Sequence, residues 1–292
     1  CCDMSKTLLG HIEEIYPDLS KSHKKIADFI INNYEKAAYY TAAKLGAETD
    51  ISESTVVRFA AQLGFEGYPE FQDALQEDIK GKLTTLQRME IASLKMVDED
   101  VLDKVLRGDR ASIKDTLENV SREDFKNAAK AINSADKIYI LGVRSTAPLA
   151  NFIYFYLKMV YDNVVLITSA SSSEEFEQIF KIKKGDVCIA ISFPRYSKQV
   201  VKTLKYAKEK GAKIIAITDS HSSPIAPLSN YVLTAKSNMA SFMDSLVAPL
   251  SLINALIVEA TMEKRDDVLE RFAELENVWD KYDVYEKSED II

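Results

Sequence analysis

The sequence predicts two domains: an all-α domain, then an α/β domain with a five-stranded parallel sheet flanked by helices. Three observations carry that expectation. The chain has 292 residues, 47% of them apolar, enough for two separately packed cores. Over roughly the first 80 residues apolar side chains recur at helical spacing. From about Ile113 onward, five short β-branched or aromatic runs alternate with helical stretches: Lys137 to Leu141, Val164 to Ile167, Val187 to Ile191, Lys213 to Ile217 and Tyr231 to Thr234. The intervening helices start near Pro148, Glu174, Lys198 and Pro224, the alternation of a parallel sheet covered on both faces. The divisions fall at residues 1–80, at 81–109 for a charged helical connector, and at 110–292 for the α/β domain. The last part carries Val268, Phe272, Leu275 and Trp279 on one face of a helix of its own.

In the first domain, Ile26, Phe29, Ile30 and Tyr34 recur at helical spacing after Ser22, a suitable cap. A short helix from Thr41 carries Ala42, Leu45 and Gly46 and ends in the polar turn Thr49, Asp50 and Ile51. Ser52 then caps a helix whose inner face is Val56, Phe59, Ala60 and Leu63, with Ser54, Thr55, Arg58 and Gln62 largely outside and Gly64 at its stop. A further helix follows with Phe71, Leu75 and Ile79 inside. Two short helices joined by a tight turn form a helix-turn-helix, and Ser54, Thr55 and Arg58 are placed to enter a DNA major groove. An ordinary helical hairpin has the same period. Residues 1–80 hold eight Lys or Arg against fourteen Asp or Glu. Phosphate contacts must therefore come from a local cluster such as Lys21, Lys24, Lys25, Lys44 and Arg58.

In the second domain the informative places are the strand ends, where free N–H groups of the following helix favour an anion. After the third run come Ser192, Pro194, Arg195, Tyr196 and Ser197, hydroxyls and a guanidinium suited to a phosphorylated small molecule. The same Arg195 and Tyr196 also fit a surface turn or a dimer contact. After the first run, Gly142 permits a sharp turn, and Arg144, Ser145 and Thr146 follow. Ser173 fits a helix cap, leaving Ser171 and Ser172 as ligand contacts, and Thr218 to His221 either line the same edge or cap a turn.

The formal charge of −8 excludes a protein that coats nucleic acid or anionic membrane everywhere. Cys1, Cys2 and Cys188 make neither a disulfide framework nor a metal-ligand spacing, so a reduced cytoplasm is expected and no metal or cofactor is called for. The longest apolar stretch, Leu246 to Val258, is shorter than the roughly 18 residues of a membrane span.

The run Ile51-Ser52-Glu53-Ser54-Thr55-Val56-Val57-Arg58-Phe59, followed by Leu63-Gly64-Phe65-Glu66-Gly67-Tyr68 and Glu70-Phe71, resembles the N-terminal domain of the RpiR family of bacterial transcription regulators. The second half is similar to the sugar isomerase (SIS) domain that this family carries, so the resemblance takes in roughly residues 20–260. It implies a DNA-binding regulator of sugar metabolism genes, a homodimer or higher homo-oligomer whose partners are a double-stranded DNA operator and a sugar phosphate effector. SIS domains have a Gly-x-Gly-x-Ser pattern after the first strand, and here Arg144 stands at the second glycine, either reaching the phosphate or lying along the rim. Of the Ser-x-Ser-Gly-x-Thr phosphate loop, Ser192 matches the first serine, Pro194 the second, Arg195 the glycine and Ser197 the threonine. The departure implies recognition that leans on charge.

The alternative is a phosphosugar isomerase, which needs a general base and an acid near the carbon that changes. Glu175, His221 and Glu259 are the candidates near strand ends or the helices after them, since His11 and His23 fall at solvent-facing helical positions of the first domain. None sits in a motif that demands catalysis, and an isomerase has no use for a DNA-reading module, so the sequence favours a regulator without enzymatic activity.

Overall fold

A computed structural model describes residues 8–79, 83–95, 100–168 and 172–285. The chain divides into two units, Cys1–Val101 with Met239–Asp244, and Leu102–Asn238 with Ser245–Ile292.

Short helices make up the first unit: α1 (Leu8–Ile15), α2 (Lys21–Asn32), α3 (Tyr34–Ala37), α4 (Ala42–Thr49), α5 (Glu53–Gln62), α6 (Tyr68–Ile79) and α7 (Thr85–Lys95). Side-chain oxygens fix two of the starts, Ser20 accepting from the His23 N–H and Thr41 from the Lys44 N–H. The cap of α2 is thus Ser20, two residues before the expected Ser22, and Tyr34 falls in the following helix because the chain breaks at Asn33. Each helix turns its apolar stripe inward, and Ile12, Ile26, Ile30, Leu45, Phe59 and Phe71 are fully buried together. The Phe59 and Phe71 rings meet edge to face at 5.9 Å.

Residues Met239–Asp244, far along the chain, belong to this helical unit. Met239 packs on its core and pairs in an antiparallel bridge with Asp244. The Asp244 carboxylate then accepts from Arg88 Nη1 on α7 at 2.9 Å, with the arginine side chain only 3% exposed and the aspartate 14%. Such a pair gains little over apolar packing, yet removing one partner strands a buried charge.

In the second unit α8 (Val101–Asn119) and α9 (Arg122–Asn133) precede the sheet. Then come β1 (Ile138–Gly142), α10 (Ala147–Val160), β2 (Val164–Ile167), α11 (Ser172–Ile179), β3 (Val187–Ile191), α12 (Lys198–Glu209), β4 (Lys213–Thr218), β5 (Tyr231–Thr234), α13 (Val247–Met262) and α14 (Arg265–Lys281). The strands are parallel in the order β2-β1-β3-β4-β5. Alternate residues serve opposite layers. Ile138, Ile140, Ile189, Ile191, Ile215 and Ile217 face α9, α10 and α13, while Tyr139, Leu141, Cys188, Ala190, Ile214 and Ala216 face α11 and α12. Burial on both faces explains why the strands read as unbroken apolar runs.

The helix expected near Pro224 is a three-residue 3₁₀ turn, Ala226–Leu228, because Pro224 and Pro227 leave too few backbone donors for an α-helix. The apolar stretch from Leu246 is α13, buried through Leu252, Ile253 and Leu256. Among the described residues no helix is long and apolar enough to cross a membrane. The last helix forms as expected, but none of its residues is fully buried.

Asp244→Ala is expected to lower the unfolding free energy by about 3 kcal/mol, read by urea denaturation of the full chain. Asp244→Asn, which keeps an acceptor for the guanidinium, is expected to lose less.

Candidate functional site

The sheet order puts β1 beside β3, yet the chain leaves β1 toward β2 on one side and β3 toward β4 on the other. Where connections diverge in this way, a crevice opens outside the C-terminal ends of the two strands. The strands end in register, Gly142 opposite Ile191, so the turns that follow them flank that crevice.

In the first turn Gly142 is a steric requirement, since a Cβ there would lie 2.8 Å from the Thr146 carbonyl oxygen and 2.9 Å from the Ala150 Cβ. Arg144 adopts a left-handed backbone, φ 56°, and opens a 3₁₀ turn, Arg144–Thr146, that leads into α10. Its side chain and that of Ser145 are exposed. Among the described residues no hydrogen bond or ion pair engages the Arg144 side chain. Thr146 behaves differently. It is buried, and its hydroxyl lies 3.0 Å from the Val143 carbonyl and 3.1 Å from that of Ile191. Its single proton is committed to the main chain, so Thr146 ties the end of β3 to the turn after β1.

The second turn is anchored in the same way. Ser192 is buried, its N–H donating to the Ile217 carbonyl at 3.1 Å and its carbonyl accepting from the Thr218 hydroxyl at 2.7 Å. Arg195 is exposed and, like Arg144, left-handed, with φ 63°. The two arginines thus occupy the backbone conformation that glycine adopts at no steric cost. The Tyr196 hydroxyl donates to Asp219 beyond β4 at 2.8 Å, bringing that strand end to the same edge. Ser197 caps α12, accepting from the Gln199 N–H at 3.2 Å, and Lys198 is exposed at the first helical position. Ser171 lies outside the described residues, and Ser172 opens α11.

The three acid–base candidates are dispersed. Glu175 is fully buried and accepts a short hydrogen bond from the Thr203 hydroxyl, in the layer of α11 and α12. Nearby, burial pushes the Cys188 thiol up to about 12, and the Glu175 charge adds to the shift, so this thiol is no nucleophile. Glu259 is on α13 in the opposite layer, lining a 350 Å³ groove with Ile113 and Leu117, and His221 is exposed after β4. A 470 Å³ cavity lies at the other end of the sheet, by Ile138 and Asn163. Asp267, Glu270 and Glu274 line it, which suits a phosphate poorly.

In the first unit, α4 and α5 meet through a close backbone approach. A Cβ on Gly46 would lie 2.5 Å from the Ile51 carbonyl oxygen, and the Ile51 N–H donates to the Gly46 carbonyl at 2.9 Å. Asp50 takes a left-handed φ of 54° to make the turn. Helix α5 ends as expected at Gly64, φ 93°, with Phe65 N–H to Ala60 O and Gly64 N–H to Ala61 O closing the reciprocal C-terminal pair. Ser52 stands at the N-cap, but its side chain makes no capping bond. Its hydroxyl lies 3.2 Å from that of Ser54 and 2.9 Å from that of Thr55, and Arg58 Nη2 donates to Thr55 at 2.9 Å. Ser54 and Arg58 are exposed and Thr55 half-buried. A chain of hydroxyls ending in a guanidinium therefore runs along the outer start of α5.

Lys44 is exposed on α4 but paired with Glu48 at 3.0 Å, and that hydrogen bond raises its pKa. His23, read from the sequence as solvent-facing, is half-buried against α5. It packs edge-on to Phe59 at 5.5 Å, with Nδ1 2.5 Å from Gln62 Oε1.

The helix-turn-helix domain of the rpiR family matches residues 6–82, and the SIS domain matches residues 131–259. The class these units define is a helix-turn-helix transcription regulator carrying a SIS domain. More particularly, the chain belongs to the RpiR family. It is 25% identical over 269 residues to an uncharacterized helix-turn-helix-type transcriptional regulator of Clostridium perfringens, covering 90% of this chain and 95% of that one. A second such regulator, from Caldanaerobacter subterraneus, is 26% identical over 270 residues, with 90% and 93% covered. The fold is similar to that of the Vibrio vulnificus NanR protein complexed with ManNAc-6P, at 20% identity and a TM-score of 0.57, over 94% of this chain and 98% of that one. It is also similar to the sugar isomerase domain of an RpiR transcription factor from Sphaerobacter thermophilus, at 24% identity and a TM-score of 0.58, over 61% and 99%.

Two substitutions test these local constraints. Gly46→Ala is expected to destabilise the helical unit by about 1–3 kcal/mol, the usual cost of forcing atoms into a filled space, read by chemical denaturation. Thr146→Val keeps the shape but leaves two carbonyls without their donor, with an expected loss of about 1–2 kcal/mol.

Proposed function

We propose that the chain is a cytoplasmic, homo-oligomeric regulator of sugar metabolism genes, at least a dimer, in which a sugar phosphate bound at the β1–β3 crevice alters operator binding. Residues 1–80 read the DNA, 81–109 connect, and 110–292 hold the effector. The observation that carries the reading is the pair of exposed, left-handed arginines on turns flanking one switch point. A phosphate there would meet the N-terminal end of α12, the hydroxyls of Ser192 and Ser197, and the Arg195 fork. The Vibrio NanR protein complexed with ManNAc-6P supports an effector of this class. Ser145, Ser171 and Ser172 would add hydroxyls, with Thr146 as a brace.

The DNA face is the outer start of α5. Ser54, Thr55 and Arg58 would enter the major groove, where an arginine pairs bidentately with guanine. Lys44 would reach a phosphate only by leaving Glu48, so its share is small. Dimerisation doubles the contacts and offsets the acidic balance of this part of the chain. Against an isomerase stand the positions of Glu175, Glu259 and His221, which lie in two opposite layers and beyond a different strand.

Operator affinity of Arg58→Ala, measured by fluorescence anisotropy on promoter fragments, is expected to fall by about 1–3 kcal/mol. An unchanged affinity would place the DNA contact elsewhere. In a thermal-shift screen of phosphorylated sugars, the stabilisation expected of a specific ligand should vanish in Arg195→Ala and with the dephosphorylated sugar. The same ligand, titrated with and without operator, should show two affinities, because only a differential interaction shifts an equilibrium.

A further inference from the structure

Two arginines stand on the turns that flank the crevice. Arg195, Ser197 and the start of α12 form one cradle on the β3 side. Arg144 stands on the β1 side, on the neighbouring strand, exposed and, among the described residues, engaged by no carboxylate. A planar guanidinium fork is the group that pairs bidentately with a carboxylate or phosphate. Its position also disfavours any side chain, since a left-handed backbone costs a residue other than glycine roughly 1–2 kcal/mol, and burial does not compensate at an exposed site. Adjacent parallel strands lie about 4.8 Å apart, so the turns that carry the two arginines stand side by side at one crevice.

We infer that the effector is a phosphosugar bearing a second anionic group, a carboxylate, with its phosphate in the Arg195 cradle and its carboxylate at Arg144. This rests on the proposed phosphate crevice and narrows its ligand class. A phosphosugar without a second anionic group offers Arg144 no carboxylate to pair with. Carboxylate binding by Arg144 is a Coulombic and hydrogen-bonding preference, so it distinguishes ligands that share everything but the charge.

The test uses the full chain and matched probes: the 6-phosphates of gluconic, mannonic and galactonic acids, each beside its alditol 6-phosphate, which carries a hydroxymethyl group in place of the carboxylate. Binding is read by calorimetry at fixed salt. At least one acid is expected to bind about tenfold tighter than its alditol partner, a difference of about 1.4 kcal/mol. Arg144→Gly, which keeps the left-handed turn without the guanidinium, should erase that preference, weakening the acid phosphate about tenfold more than its alditol partner. Arg144→Lys should restore part of it, and Arg195→Ala should weaken both members of a pair. Equal binding of acid and alditol by the parent chain, or equal loss of both in Arg144→Gly, overturns the inference and leaves the phosphate crevice standing. If no phosphorylated probe binds, both the crevice and the inference fail.

Discussion

The pairing of β1 with β3 is the constraint on which the rest of the α/β unit depends. The chain departs in opposite directions from these two strands, so no helix closes over their C-terminal ends. The gap is a consequence of connectivity, and any substitution that keeps the order of strands keeps it. What the gap can bind is decided by two short turns whose ends are held by main-chain carbonyls. Thr146 bonds across to the end of β3, and Thr218 bonds to the start of the turn that leaves it. These threonines are buried parts of the sheet's edge. They fix where the exposed residues between them stand.

The left-handed arginines acquire their meaning from that rigidity. Elsewhere among the described residues such conformations fall at helix ends, as at Asp50 and Gly64, where they stop a helix, or, at Gly185, in the turn before β3. At residues 144 and 195 they shape strand-to-helix turns on neighbouring strands. The steric cost there persists only because the surrounding structure over-determines the turn. Strained positions of this kind cluster at ligand sites, and here both carry the side chain best matched to an oxyanion.

The helical unit has an equivalent constraint in one contact, Gly46 against Ile51. That approach sets the angle between α4 and α5 and therefore which residues of α5 stand outside. The outer start of the helix is then organised by its own hydroxyls, with Ser52, Ser54 and Thr55 linked and Arg58 held over Thr55. The same unit takes in Met239–Asp244 from beyond β5, through one buried ion pair and one apolar contact. No local pattern announces that insertion, because its cause is a partner 156 residues away.

The strands, the two helices of the DNA-reading motif and the stop at Gly64 were legible in the chain because each rests on local causes: apolar period, capping chemistry and glycine at a positive φ. The positions of the candidate turns were legible too, directly after buried strands, and the resemblance of the run from Ser52 to Phe71 supplied the family. The sequence misread features whose cause is a competing partner. Ser20 instead of Ser22 caps α2, two prolines reduce the helix near Pro224 to a single turn, and His23 turns inward because Phe59 and Gln62 are there to meet it. Tertiary structure alone decided what each candidate side chain is free to do. Thr146 spends its only proton on the backbone, Lys44 is matched by Glu48, Glu175 is sealed against Thr203, and Arg144 is left exposed. Residue type and spacing along the chain determine which groups could meet a ligand or DNA, but a hydrogen bond is settled by atoms that only folding brings within 3 Å of one another.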